Sequence, residues 1–264
     1  MAESTTPEAY MKPATRLRKL LSQPNICIQA PGVYDGLCAR LAIEQGFQVM
    51  YQGGSMTTAA RLGKADLAFA SLNDFAQNAQ MIANIDPRIP LIADADVGFG
   101  SPPNIARMVQ ICGHLKGKEV VDMETDSLAV EGYQAALGRL LAARECGADM
   151  GFLEAIETEE QIKNAVRVLS PMPLMVNLVS NGKTPWFSPE ELGEWGVKLA
   201  IYPGAAGKSV LHTIRRAYKY LMETGKDDAE AQGLEPKGFF DVMGLQREME
   251  IDKLAGGESF ANGA

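Results

Sequence analysis

The sequence predicts an α/β fold, most simply a closed barrel in which parallel strands alternate with helices. Three observations predict it. Short apolar runs recur along the chain, each followed by a polar or glycine-rich loop and then by an amphipathic stretch, which is the pattern of a parallel sheet covered by helices. Those runs end on carboxylates, an amide or glycines, and barrels of this kind keep their ligands at the carboxyl ends of the strands. The 264 residues, 46% hydrophobic and 22% charged, suit one large α/β domain.

In order, residues 26–30 (Ile-Cys-Ile-Gln-Ala) form an apolar strand closed by Pro31-Gly32, and residues 34–45 form an amphipathic helix ended by Gly46. Residues 47–51 are a second strand that runs into Gly53-Gly54-Ser55. A helix over 72–84 leads to a third strand at 89–93, followed by a helix over 103–110. Farther on, helices over 127–146, 158–169 and 189–195 feed strands at 150–154, 174–178 and 198–202. After a break at 225–233, residues 238–254 carry the apolar stripe of one more helix, within an extension over 234–254. The whole is expected to be a single barrel domain, with residues 1–16 a flexible start and 255–264 a disordered tail.

Polar groups at several strand ends face one mouth. Asp94 and Asp96, two apart at the end of an apolar run that dissolves into Val97-Gly-Phe-Gly100, project from one face of a strand, where a hard divalent cation is held by oxygen ligands. Two solvated or capping aspartates fit that segment equally well. Glu154 alone reads more readily as a structural hydrogen-bonding carboxylate than as a catalytic one, and Asn177 as a loop-fixing amide. Together they read as a site.

Composition excludes other classes. A net charge of -8 and a pI near 5.0 argue against nucleic acid and against an anionic membrane surface, since both need a basic face. Cys27, Cys38, Cys112 and Cys146 show no CxxC spacing, so neither a zinc site nor a disulfide framework is indicated, and a reducing compartment, the cytoplasm by default, is expected. Residues 1–24 hold no apolar core of signal-peptide length, and no run is long enough to span a bilayer.

The segments Ala30-Pro-Gly-Val-Tyr-Asp-Gly36, Tyr51-Gln-Gly-Gly-Ser55, Arg61-Leu-Gly-Lys-Ala-Asp66, Asp94-Ala-Asp-Val-Gly-Phe-Gly100, Cys112-Gly-His114, Gly147-Ala-Asp-Met-Gly-Phe-Leu-Glu154 and Asn177 resemble, in order and over nearly the whole chain, the isocitrate lyase/phosphoenolpyruvate mutase superfamily. The similarity is to its short branch of methylisocitrate lyase, dimethylmalate lyase and oxaloacetate acetylhydrolase. It implies a (βα)8 barrel of the phosphoenolpyruvate mutase type, a small anionic carboxylic acid substrate, Mg2+ (or Mn2+), cleavage of a carbon–carbon bond through an enolate, and homodimers or homotetramers that exchange a C-terminal helix. By position, Asp94 and Asp96 would hold the metal with Asp66 in support. Gly53, Gly54 and Ser55 would contact the substrate carboxylate, with Tyr51 and His114 beside it, and Glu154 and Asn177 would be further contacts. Cys112 would be the acid or base. Without the resemblance, Cys112 reads as a small buried hydrophobe and His114 as a loop-fixing residue.

The departures from the family pattern are definite. Between Asp96 and Cys112 there is room for one helix, after which the Cys-Gly-His loop begins, and Gln110-Ile111 stand where the family has a Lys-Arg pair. After Val120-Val-Asp-Met-Glu124 the chain resumes at Thr125-Asp126 without the next strand or its arginine, leaving six strands where a barrel needs eight. Without the lysine the thiol loses its nearest positive charge, and without the arginine the substrate loses a bidentate clamp. Lys116 and Lys118 in that loop read as solvated. Three functions follow: a metal-dependent lyase on a 2-hydroxy or 2-oxo di- or tricarboxylic acid, a hydrolase of the oxaloacetate-cleaving kind, or an impaired member acting only by association.

Overall fold

The computed structural model describes residues 11–95, 98–114, 122–125, 132–228 and 234–257. A first helix, α1 (Pro13–Leu21), begins with Pro at its first turn and occupies part of the expected flexible start. Seven strands follow: β1 (Ile28–Val33), β2 (Met50–Gln52), β3 (Leu91–Ala93), β4 (Asp122–Thr125), β5 (Met150–Leu153), β6 (Leu174–Asn177) and β7 (Leu199–Tyr202). They form one parallel sheet in the order β3-β2-β1-β7-β6-β5-β4. Intervening helices are α2 (Gly36–Glu44), α3 (Gly54–Leu62), α4 (Leu72–Ile85), α5 (Pro102–His114), α6 (Tyr133–Glu145), α7 (Glu159–Leu169) and α8 (Pro189–Glu194). The chain ends with α9 (Ala205–Thr224), α10 (Pro236–Val242) and α11 (Leu245–Leu254).

The barrel class is correct, with one strand more than the sequence count. β4 lies across the junction of Glu124 and Thr125, where the sequence predicts no strand, and it pairs with β5 from Asp122↔Met150 to Thr125↔Leu153. Among the described residues no ladder joins β3 to β4, so the ring is not closed by main-chain pairing. The sheet is nonetheless rolled. Ile28, Ala30, Tyr51, Ile92, Phe152, Met175 and Ile201, drawn from six strands across the row, share one buried cluster.

Helix α1 stops the amino-terminal end of this barrel. Leu17, Leu20 and Leu21 recur at helical spacing and pack among Ile28, Val49, Met150 and Leu199, all at or beside strand starts, each contributing about 1.5–3 kcal/mol by burial. Arg18 pairs with Asp149 just before β5 at 3.3 Å, and Lys198 Nζ donates to Gln23 O at 2.7 Å. With that end plugged, the carboxyl ends of the strands form the accessible mouth.

Other differences from expectation have local causes. β1 runs through Pro31-Gly32, since proline's fixed φ suits an extended strand and a Cβ at Gly32 would stand 2.3 Å from Pro203 O. α3 starts on Gly54 and stops at left-handed Gly63, although Gly-Gly-Ser reads as a turn. α5 extends through Ile111-Cys112-Gly113-His114 instead of giving way to a loop, because Ile105, Met108, Val109 and Cys112 keep an apolar helical period to its end. The C-terminal segment is two helices, divided at Gly244, whose φ of 88° only glycine adopts readily. α10 packs on α2 of the same chain, with Gly244 against the Arg40 guanidinium. No described helix is long and apolar enough to cross a membrane.

Candidate active site

The mouth is assembled from strand ends. Asp94 follows β3, Gly53 and Gly54 follow β2, Glu154 follows β5, Asn177 closes β6 and Pro203 follows β7. Asp94 is the best-fixed of these. Its main-chain N–H donates to Gln52 O at 2.9 Å, continuing the β2–β3 ladder one residue beyond the strand. Its Oδ2 accepts from Gly54 N–H at 2.9 Å and from Tyr51 O–H at 3.2 Å. Gly54 is the first residue of α3, whose N-terminal N–H groups have no helical partners, and one of them is thereby satisfied by a carboxylate. A Cβ at Gly54 would stand 2.8 Å from that same oxygen, which explains glycine there.

On the other side of the row, Asn177 Nδ2 donates to Glu154 Oε2 at 3.0 Å. Asn177 Oδ1 is buried and has no hydrogen-bond partner, an unusual state for a buried acceptor and one that a ligand's donor would relieve.

The other expected residues are placed as follows. Ser55 lies in the first turn of α3, half-buried, and Asp66 lies in the exposed stretch 63–69 that follows α3. Cys112 and His114 are in the last turn of α5, with their side chains outside the described residues, as are Asp96, Lys116 and Lys118 altogether. Among the described residues no three His, Cys, Asp or Glu side chains gather as a metal cage. Mg2+ takes one or two carboxylates and keeps several waters, so an all-oxygen set led by Asp94 fits it without such a cage.

Two neighbours were not expected from the sequence. Gln52, at the end of β2, and Asn78, on α4, are buried amides bonded to one another beneath Gly53. A polar residue closing an otherwise buried strand is a legible signal for Gln52, the same signal that marks Asp94, whereas Asn78, within a helix, carries none. Beside them the loop 98–100 has three consecutive positive φ values, 79°, 60° and 134°, and Phe99 at its centre meets Phe75 edge-on at 5.2 Å.

A rolled parallel sheet with acid and amide groups at its carboxyl ends is the architecture of the barrel class. Residues 17–117 match the family model described as phosphoenolpyruvate phosphomutase. 2-Methylisocitrate lyase of Bacillus subtilis (strain 168) is 30% identical, covering 91% of this chain and 92% of its own. A crystal structure of 2,3-dimethylmalate lyase has 36% identity and a TM-score of 0.91, covering 96% of this chain and 99% of that one. Oxaloacetate acetylhydrolase with the inhibitor 3,3-difluorooxalacetate has 38% identity and a TM-score of 0.86, covering 95% and 100%. Phosphonopyruvate hydrolase, solved with oxalate and Mg2+, shares the fold at 20% identity and a TM-score of 0.79, covering 92% and 99%. The chain belongs to the phosphoenolpyruvate mutase/isocitrate lyase superfamily. The alignment to the Bacillus relative runs over 281 positions, more than the 264 residues of this chain, so that relative carries residues absent here.

Proposed function

We propose that this protein cleaves a carbon–carbon bond in a small 2-hydroxy or 2-oxo di- or tricarboxylic acid, through an enolate. The observation that carries the reading is Asp94, fixed at the mouth by Tyr51 and Gly54, opposite a Glu154–Asn177 pair with an unsatisfied buried acceptor. Asp94 and Asp96 would hold Mg2+ or Mn2+, with Asp66 in support. When bound, the cation supplies positive charge against the negative charge that develops on the substrate's oxygen.

The chain's own groups divide the remaining work. The N–H groups of Gly53 and Ser55, at the start of α3, suit a substrate carboxylate, with Gly54, whose own N–H goes to Asp94, and Tyr51 and His114 beside it. Asn177 Oδ1 is available to a substrate hydroxyl, oriented by the bond that Asn177 Nδ2 gives to Glu154. In a 2-hydroxy acid the hydroxyl passes its proton to a base, for which Glu154 beside Asn177 is the proposed group, as its carbon becomes a carbonyl. The electron pair of the broken bond passes to the enolate carbon, and Cys112 is the proposed donor of the proton that carbon takes up. A second reading, a family member of reduced activity acting in association with other subunits, is favoured by the residues that this chain lacks relative to its relatives.

Titration calorimetry with Mn2+ tests the metal reading: Asp94→Ala should weaken binding at least tenfold, the usual scale for loss of metal-site groups. Equal binding in the variant removes the central assignment. For the chemistry, turnover of methylisocitrate, dimethylmalate and oxaloacetate should vanish with EDTA and fall at least a hundredfold in Cys112→Ser, within the usual worth of a positioned acid. No turnover with any of the three supports the second reading.

A further inference from the structure

Gln52 and Asn78 form a buried polar pair that the chemistry above does not use. Gln52 is fully buried at the last position of β2, and Asn78 is 2% exposed on α4. A main-chain carbonyl fixes the orientation of each amide: Gln52 Nε2 donates to Phe75 O at 3.3 Å, and Asn78 Nδ2 donates to Tyr34 O at 3.0 Å. Asn78 Nδ2 also donates to Gln52 Oε1 at 3.3 Å, which ties the ends of β1 and β2 to one helix. Burying two amides is costlier than burying apolar side chains of the same size, and once their bonds are made they hold one register. That register falls on the turn that grips the acid. Gln52 O accepts the Asp94 N–H, and Gly54, two residues on, donates to Asp94 Oδ2.

We infer that the Gln52–Asn78 pair is a positioning device, holding the end of β2 so that Gly54 N–H and Tyr51 O–H meet Asp94 Oδ2. For its functional consequence the inference rests on the metal role proposed for Asp94; the positioning itself does not. Phe75 strengthens the arrangement: its carbonyl takes the Gln52 amide, and its ring lies 3.6 Å from where a Cβ on Gly54 would be.

Asn78→Leu removes both donors at similar volume. Residue-resolved amide exchange should show Gly54 exchanging about tenfold faster, with the Leu199 and Met175 amides of the barrel interior unchanged. Mn2+ affinity should fall about tenfold, the scale expected when a group that orients a ligand is lost. A purely structural role would speed exchange throughout and lower Tm without singling out Gly54. The double variant Gln52→Leu/Asn78→Leu leaves no unpaired amide of the pair, so it should regain most of the lost Tm while keeping fast Gly54 exchange and weak Mn2+ binding. If Asn78→Leu alone does not fold, the double variant carries the same readouts. Unchanged Gly54 exchange, or full recovery of it in the double variant, overturns the inference. If the parent protein binds no Mn2+ while Gly54 exchange still accelerates, the metal reading of Asp94 fails and the positioning stands.

Discussion

Asp94 has little freedom, and its two donors differ in what their removal does. Gly54→Ala drives a methyl group into the carboxylate oxygen, 2.8 Å from the Cβ position, and is expected to weaken Mn2+ binding at least tenfold. Tyr51→Phe takes away a hydroxyl and moves nothing else, so its expected effect is a stability loss of about 1–3 kcal/mol by urea unfolding, the worth of a hydrogen bond to a charged group. Away from the mouth, burial pushes the Cys27 and Cys38 thiols and the Tyr34 phenol up to about 12. Their protonated forms are favoured by the fold, so this contribution is fully present below the ordinary thiol value of 9.0 and is lost as pH rises from there toward 12. Urea midpoints should therefore hold level from neutral pH and fall above about 9. At neutral pH a thiol reagent read by mass spectrometry should modify exposed Cys146 and spare Cys27 and Cys38, and equal labelling of all three would contradict their burial.

At the scale of elements, two glycines make opposite predictions. Gly32→Ala puts a Cβ 2.3 Å from Pro203 O, main chain against main chain with no flexible atom to yield, and should cost at least about 3 kcal/mol or prevent folding. Gly138 sits within α6 with open space around its Cβ position, so Gly138→Ala should stabilise the protein by about 0.5–1 kcal/mol through helix propensity alone. Thermal melts of the two variants decide both. The same contrast shows what the sequence makes legible. Strands that are apolar up to a polar last residue, such as Leu-Met-Val-Asn at β6, and helices with hydroxyl or acid caps, such as Thr158 before α7, could be read directly, because period and cap are local. β4 was not legible, because Asp-Met-Glu-Thr becomes a strand only by pairing with β5. α3 was missed because Gly-Gly-Ser serves a turn as well as a helix start. Asp94, Glu154 and Asn177 stood out as polar residues ending apolar runs. The Gln52–Asn78 bond did not, since it joins residues that only the packing of α4 brings together.

For the whole molecule, the ends of the row, unpaired among the described residues, and the dressing of α9 point the same way. Only Gly207 of α9 is buried, while Leu211, Tyr218 and Met222 are 59%, 66% and 87% exposed. Sedimentation should accordingly give a dimer or larger species, and Leu211→Glu with Met222→Glu should shift it toward monomer; a parent protein that sediments as a monomer would defeat this expectation. The order of the strands has a further consequence, for synthesis. β1 is flanked by β2, which emerges soon after it, and by β7, whose Leu199 pairs with Ile28 only after about 170 more residues have been made. At the usual pace of about 5–20 residues per second, a nascent chain waits on the order of ten to thirty seconds with that edge of β1 open. During that interval any strand offered by another chain competes for the place β7 will take, so the seam between the first strand and the last is where translation speed and chaperone supply decide how much of this protein reaches its native form.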